Sequence, residues 1–410
     1  MRISLDKTIR AISTALDLAE INSVENIEIV EKISNIDYSR HHFTHHSKRT
    51  AYIALKLSNL FNLNDQYRKS LYIASLLHDI GAVNSLKITH TSATFIKEHC
   101  INGANIVKPF PIFDDISDII LYHHENFNGS GPIGLKDSKI PLASQIIRIA
   151  DLVELLYDES HPPYAQKNTI IDWINTKANT IFSKEIVDAF MKISSVEAFW
   201  FDLENVTFID LILDKISPKI NNYLDLKEFE TIASVFSNII DAKSNFTARH
   251  SRGISELAYM ISKHLKYSEE KCAKMKIAGL LHDIGKLAIP SNILDKNGSL
   301  TSEEFSIIKS HVYYTSIILE RIEDIPDISA WASNHHEKLN GKGYPRGLSS
   351  KDLSEESKIL AVCDIYQALI EDRPYRKGLS RTKAFAILDE MSEENGICKS
   401  ALKHFKNALQ

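Results

Sequence analysis

The stretch GLLHDIGKLAIPSNIL (279–294) sets an apolar, helix-like run directly against a neighbouring histidine and aspartate, His282 and Asp283, and SLLHDIG (75–81) echoes it. Working outward from the two HDIG sites, the same order of residues surrounds each. HFTHHSKRTAYIA (42–54) answers NFTARHSRGISELA (245–258), and 32 residues separate His46 from His78 and His250 from His282 alike. Downstream, IKEHC (96–100) answers IKSHV (308–312), and LYHHENFNGSGP (121–132) answers SNHHEKLNGKGYP (333–345). His99 to His123 and His311 to His335 both span 24 residues. IRIADLVELL (147–156) and ILAVCDIYQAL (359–369) complete the match, with Asp151 and Asp364 in equivalent places. Ten of the 17 histidines fall into five spaced pairs, so the chain is a tandem repeat rather than a histidine-rich accident.

Within each copy the apolar residues recur at helical spacing: Ile53, Leu57, Leu60 and Phe61 in the first, Ile254, Leu257, Ala258, Ile261 and Leu265 in the second. No useful length of sequence alternates with period two, and 14 glycines and 11 prolines in 410 residues are too few for a turn-dense sandwich. The expectation is an all-α protein of two tandem helical bundle domains joined by a helical connector. The boundaries read as 1–195, 196–224 and 225–410, the connector being apolar rather than rich in glycine and serine.

Lysine plus arginine (48) against aspartate plus glutamate (53) gives a net charge of −5, which argues against coating DNA or an anionic membrane. The sequence has no apolar run of about 18 residues, and acidic residues interrupt the N-terminal MRISLDKTIRAISTALDLAE; a cytoplasmic protein without a membrane span is expected. Cys100, Cys272, Cys363 and Cys398 are too scattered for a zinc knuckle or a disulfide frame.

Adjacent residues on a helix point about 100° apart, so His-Asp and His-His pairs suit a site holding more than one ion. In the second copy the candidate ligands are His250, His282, Asp283, His311, His335, His336 and Asp364. Seven donors exceed the needs of one tetrahedral zinc and fill two larger shells if one carboxylate bridges. Nitrogen and oxygen donors without thiolate suit iron or manganese, with zinc and nickel left open. Two divalent ions about 3.5–4 Å apart serve phosphoester hydrolysis. Lys286, Arg373 and Arg376 would add positive charge to such a pocket.

With these motifs in place, the second copy resembles the HD-GYP subfamily of HD-superfamily metal-dependent phosphohydrolases. HDIGKLAIPSNIL (282–294), LTSEEFSIIKSH (300–311), HHEKLNGKGYPRGL (335–348) and AVCDIYQALIEDRPYR (361–376) follow its order over about 185 residues. The resemblance implies a phosphodiesterase that opens a cyclic dinucleotide, cyclic di-GMP or 3′,3′-cyclic GMP-AMP. It implies that Asp283 bridges the metals, that Lys286 contacts the scissile phosphate, that Gly343, Tyr344 and Pro345 form the signature tripeptide, and that Arg373 and Arg376 hold the substrate. Thr315 and Asn340 depart from the glycine and aspartate usual at their places, and Phe246 stands where members with a third metal have glutamate, so two metals are expected.

The first copy keeps all seven ligand types: His46, His78, Asp79, His99, His123, His124 and Asp151. Ala82 replaces the lysine, Gly131-Pro132 the GYP, and PPYAQ (162–166) the arginine segment. Metal binding without cyclic dinucleotide cleavage is expected there, as a regulatory site or one acting on a smaller phosphate. Two further readings stay open for the whole protein: a nucleotidase or nucleotide phosphohydrolase, and a signalling adaptor that binds a cyclic dinucleotide without turnover. A homodimer is also left open.

Overall fold

The computed structural model describes residues 1–21, 45–82, 93–113, 115–243, 250–372 and 377–410. The chain divides into two compact units, one formed by Ile12–Asn221 and the other by Met1–Ala11 together with Asn222–Gln410. Both are helical. Among the described residues, the one paired sheet is a two-residue contact of β1 (Ile3–Ser4) with β2 (Tyr223–Leu224), antiparallel, with Ile3 opposite Leu224.

After α1 (Leu5–Ile21), the first unit contains α2 (His46–Ser58), α3 (Asp65–Leu77), α4 (Ala93–Val107), α5 (Ile116–Leu121) and α6 (Leu142–Leu156). It closes with α7 (Pro163–Thr176), α8 (Lys184–Ser194), α9 (Glu197–Glu204) and α10 (Ile209–Ile216). α2 is buried along nearly its whole length and packs on α3, α6 and α10. The second unit repeats the plan. α11 (Leu226–Lys243), α12 (His250–His264), α13 (Glu269–Leu281), α14 (Ser302–Leu319), α15 (Pro326–Ser333) and α16 (Glu355–Ile370) surround its centre, followed by α17 (Arg381–Glu393) and α18 (Lys399–Ala408).

The expected boundaries shift at both ends of the first unit. Residues 196–221 pack within that unit rather than forming a separate connector. Trp200 is buried with its indole N–H donating to Ser194 O at 2.8 Å, and Phe199 stacks on Tyr52 of α2. Conversely, Met1–Ala11 belongs to the second unit, because Ile3, Leu5 and Ile9 are buried and β1 needs β2 as its partner.

The repeated HDIG turn shows why these residues form this structure. α3 and α13 start on side-chain caps, Asn64 accepting from the Tyr67 N–H and Ser268 from the Lys271 N–H. Each helix stops at its histidine, and a 3₁₀ turn follows, Ile80–Ala82 or Ile284–Ala288. At Gly285 a side chain would lie 1.9 Å from His311 O and 2.5 Å from Thr315 N; at Gly81 it would lie 2.1 Å from His99 O. Glycine there lets the helix carrying the third histidine press against the turn.

Candidate metal centres

Five segments of the second unit converge on one point. His250 opens α12, His282 and Asp283 end α13, His311 lies within α14, His335 and His336 follow α15, and Asp364 sits inside α16. The Asp283 carboxylate divides the set. Its Oδ2 faces His282 Nε2 at 3.0 Å and His250 Nε2 at 3.8 Å, while its Oδ1 faces His311 Nε2 at 3.3 Å and His335 Nε2 at 3.9 Å. Asp364 reaches both sides, with Oδ1 3.2 Å from His250 Nε2 and Oδ2 3.8 Å from His336 Nδ1.

The imidazoles are aimed by their other nitrogens. The Nδ1 atoms of His282, His311 and His335 lie 2.6–2.8 Å from the carbonyls of Gly279, Ile308 and Ala332, each three residues earlier. A carbonyl only accepts, so Nδ1 carries the proton and the Nε2 lone pair points inward. His250 Nδ1 donates instead to Glu371 Oε2 at 2.9 Å. His282 Nε2, His311 Nε2, His335 Nε2 and Asp283 Oδ1 are buried with no hydrogen-bond partner. Converging lone pairs and a carboxylate oxygen, all shielded from water, fit divalent cations.

The electrostatics agree. Burial acts against the charged form of Asp283, but the neighbouring His282 and the Lys286 ammonium, 3.0 and 2.5 Å from Oδ2, hold its carboxyl well below the usual range. Burial and the neighbouring His336 and His282 hold His335 well below the usual imidazole value. Burial pushes His336 down to about 4, against the opposing pull of Asp364. The last two rings are therefore neutral, as ligands must be.

The first unit repeats the division. Asp79 Oδ2 lies 3.3 Å from both His46 Nε2 and His78 Nε2, and Oδ1 lies 3.5 Å from His99 Nε2 and 3.8 Å from His123 Nε2. Asp151 Oδ1 is 3.6 Å from His46 Nε2, and His124 joins Asp79, His99 and His123 in one cluster. Both oxygens of Asp79 and of Asp151 are buried without a hydrogen-bond partner, and burial raises the Asp151 pKa. That cost is relieved by a bound cation.

Of the expected substrate contacts, Lys286 Nζ lies 2.5 Å from Asp283 Oδ2 with its side chain 20% exposed, placing an ammonium at the rim of the second centre. Tyr344 packs its ring 4.9 Å from that of His336, and its phenol pKa is raised by burial and by Asp364 and Asp283. Gly343 is required by packing, since a side chain there would lie 2.3 Å from Lys338 N, and Pro345 is exposed. Arg373 and Arg376 lie outside the described residues, as does Phe246.

Several residues escaped the sequence reading. Glu337, buried beside the histidine pair, accepts from Arg346 N at 2.7 Å and Leu348 N at 2.9 Å and so shapes the GYP loop; Glu125 accepts from Ile133 N in the first unit. The H-H-E triplets at 123–125 and 335–337 carried that signal. Thr315 donates to His282 O at 3.0 Å and accepts from Gly285 N at 3.1 Å, so its departure from glycine pins the HD turn. Glu154 meets His46 Nδ1 as Glu371 meets His250 Nδ1. Glu371→Gln is expected to weaken metal binding in the second unit about 10- to 100-fold, measurable by competition with a chelating dye; unchanged affinity would show that the contact does not support His250.

The fold and its clusters define a tandem helical protein whose two units each carry histidine–aspartate groups that could hold metal. The HD domain family matches residues 32–176 and 234–396, and the chain belongs to that family. The 3′3′-cGAMP-specific phosphodiesterase 1 of Vibrio cholerae is 28% identical over 354 residues, spanning 84% of this chain and 82% of that protein. Phosphodiesterase 3 of the same specificity and organism is 30% identical over 317 residues, spanning 77% and 68%. A cyclic di-GMP phosphodiesterase of Pseudomonas aeruginosa is 35% identical over 161 residues, covering 38% of this chain and 37% of that one. The crystal structure of the V. cholerae cyclic GMP-AMP specific phosphodiesterase V-cGAP3 matches with a TM-score of 0.70 at 22% identity, across 100% of this chain and 98% of that one, and shares its fold. Among the described residues, no helix is long and apolar enough to cross a membrane.

Proposed function

We propose that the second unit hydrolyses a phosphodiester bond of a cyclic dinucleotide, 3′,3′-cyclic GMP-AMP or cyclic di-GMP, to give the linear dinucleotide. The observation that carries this reading is the division of Asp283 between two ligand sets beneath a rim ammonium. The relatives act on these substrates by name, which supports the substrate class. His250, His282, Asp283 and Asp364 would hold one divalent ion, and Asp283, His311, His335 and His336 the other, with iron or manganese suited to the donors. Bound ions of this kind polarise a phosphoryl oxygen and make water nucleophilic at neutral pH.

The protein's own part is orientation and charge. Carbonyls of Gly279, Ile308 and Ala332 keep protons on Nδ1, so the inward nitrogens need no reorganisation. Lys286 offers its ammonium to a phosphate oxygen, the Tyr344 phenol stays protonated as a donor, and Glu337 holds the loop bearing Gly343 and Pro345. Arg373 and Arg376 would grip the remaining phosphate or a base. In the first unit, the seven equivalent residues hold metal, and without a counterpart of Lys286 or of the GYP loop that unit does not open the cyclic substrate.

Metal-loaded full-length protein, assayed beside cyclic di-GMP, cyclic GMP-AMP, linear dinucleotides and mononucleotides, is expected to linearise a cyclic substrate. Activity confined to mononucleotides would replace this reading with a nucleotidase, and binding without product with an adaptor. Lys286→Ala is expected to lower kcat about 100-fold with metal content intact; equal turnover would remove Lys286 from the chemistry.

A further inference from the structure

Arg148 lies on α6 three residues before Asp151. The equivalent residue in the second unit, three before Asp364, is Ala361. Thus the first unit lacks a cation where Lys286 stands, having Ala82, and gains one at a position where its twin has none. The guanidinium Nη1 is 2.9 Å from His124 Nδ1 and 3.7 Å from Asp151 Oδ2, and its Nε is buried with no hydrogen-bond partner. Its side chain is 14% exposed, while those of Asp79 and Asp151 are 2% and 1%. Of these three side chains, that of Arg148 is the most exposed.

From this geometry we propose that Arg148 is the anion-recognising residue of the first centre, and that the centre takes a compact oxyanion such as phosphate or a terminal phosphate group. The inference rests on the first unit holding metal. A guanidinium only donates, so its bond to His124 requires a lone pair on Nδ1. A neutral imidazole has one lone pair, and ligation through Nε2 uses it. Metal binding by His124 and acceptance from Arg148 thus exclude one another, and a loaded centre releases the guanidinium with its donors unspent. Two oxygens of a phosphate match that planar fork. A single guanidinium beside buried carboxylates offers one such fork, which suits a compact anion.

The test uses the full chain with His282→Ala silencing the second centre, loaded with manganese, and inorganic phosphate as the probe. Calorimetric titration is expected to show phosphate binding that Arg148→Ala weakens at least about tenfold and Arg148→Lys partly restores, since charge returns without the fork. Metal content of the first centre is expected to be unchanged by either substitution, which a merely structural role for Arg148 would not allow. Phosphate affinity equal with and without Arg148 overturns the inference and leaves the metal reading standing. A first unit without metal in the His282→Ala protein overturns both.

Discussion

Asp283→Asn is expected to empty the second unit of metal and to reduce cyclic dinucleotide turnover about 1,000-fold or more. The reason is the division of its carboxylate, which faces His282 and His250 with one oxygen and His311 and His335 with the other. An amide keeps the size but offers one oxygen and no charge, so at most one ligand set retains its anionic member. The carboxyl sits well below its usual range with His282 and the Lys286 ammonium against it; the neutral amide forfeits the attraction of that ammonium. Elemental analysis of anaerobically purified protein reads the outcome, the first unit serving as an internal count. Retention of two ions in the second unit, or of a tenth of the turnover, would show that Asp283 does not bridge.

Gly285→Ala is expected to be the most damaging small substitution outside the ligands. The added carbon would lie 1.9 Å from His311 O and 2.5 Å from Thr315 N, both backbone atoms of a long helix. Relief requires α14 to move away from the HD turn, at a cost of about 3 kcal/mol. For a unit of this size, that corresponds to a fall in Tm of roughly 6–12 °C. The same movement draws His311 away from Asp283, so metal content falls with stability. Scanning calorimetry of metal-free protein separates the two effects, and a Tm within about 2 °C of the parent would mean that α14 is not locked against the turn.

The ligands were legible because helix termini and helix packing tolerate little change in spacing. Both HD dipeptides end a helix, and the matched 24-residue interval leads from the third histidine to the next pair. Supporting contacts were less legible because they can be offered from anywhere nearby. Glu154 lies one turn beyond Asp151, whereas Glu371 lies past the end of α16, and Gln367 at the place of Glu154 donates to Glu371 Oε1 at 2.7 Å instead. No repeat-based alignment pairs those two glutamates, although each meets the Nδ1 of an equivalent histidine. Arg148 was hidden for a similar reason, since the comparison with Ala361 acquires meaning only when α6 turns it toward His124. The placement of Met1–Ala11 had no local signal, because β1 is two residues long and finds its partner across an intervening unit.

That short pairing has a practical consequence for dissecting the protein. A fragment starting at the second repeat, near residue 225, would discard Ile3, Leu5 and Ile9, which are buried in the structure, and both strands of the β1–β2 contact. A complete second unit is a discontinuous stretch of chain, 1–11 with 222–410. Isolating the second unit therefore calls for splicing its opening residues onto Asn222 through a new loop, rather than choosing a start codon.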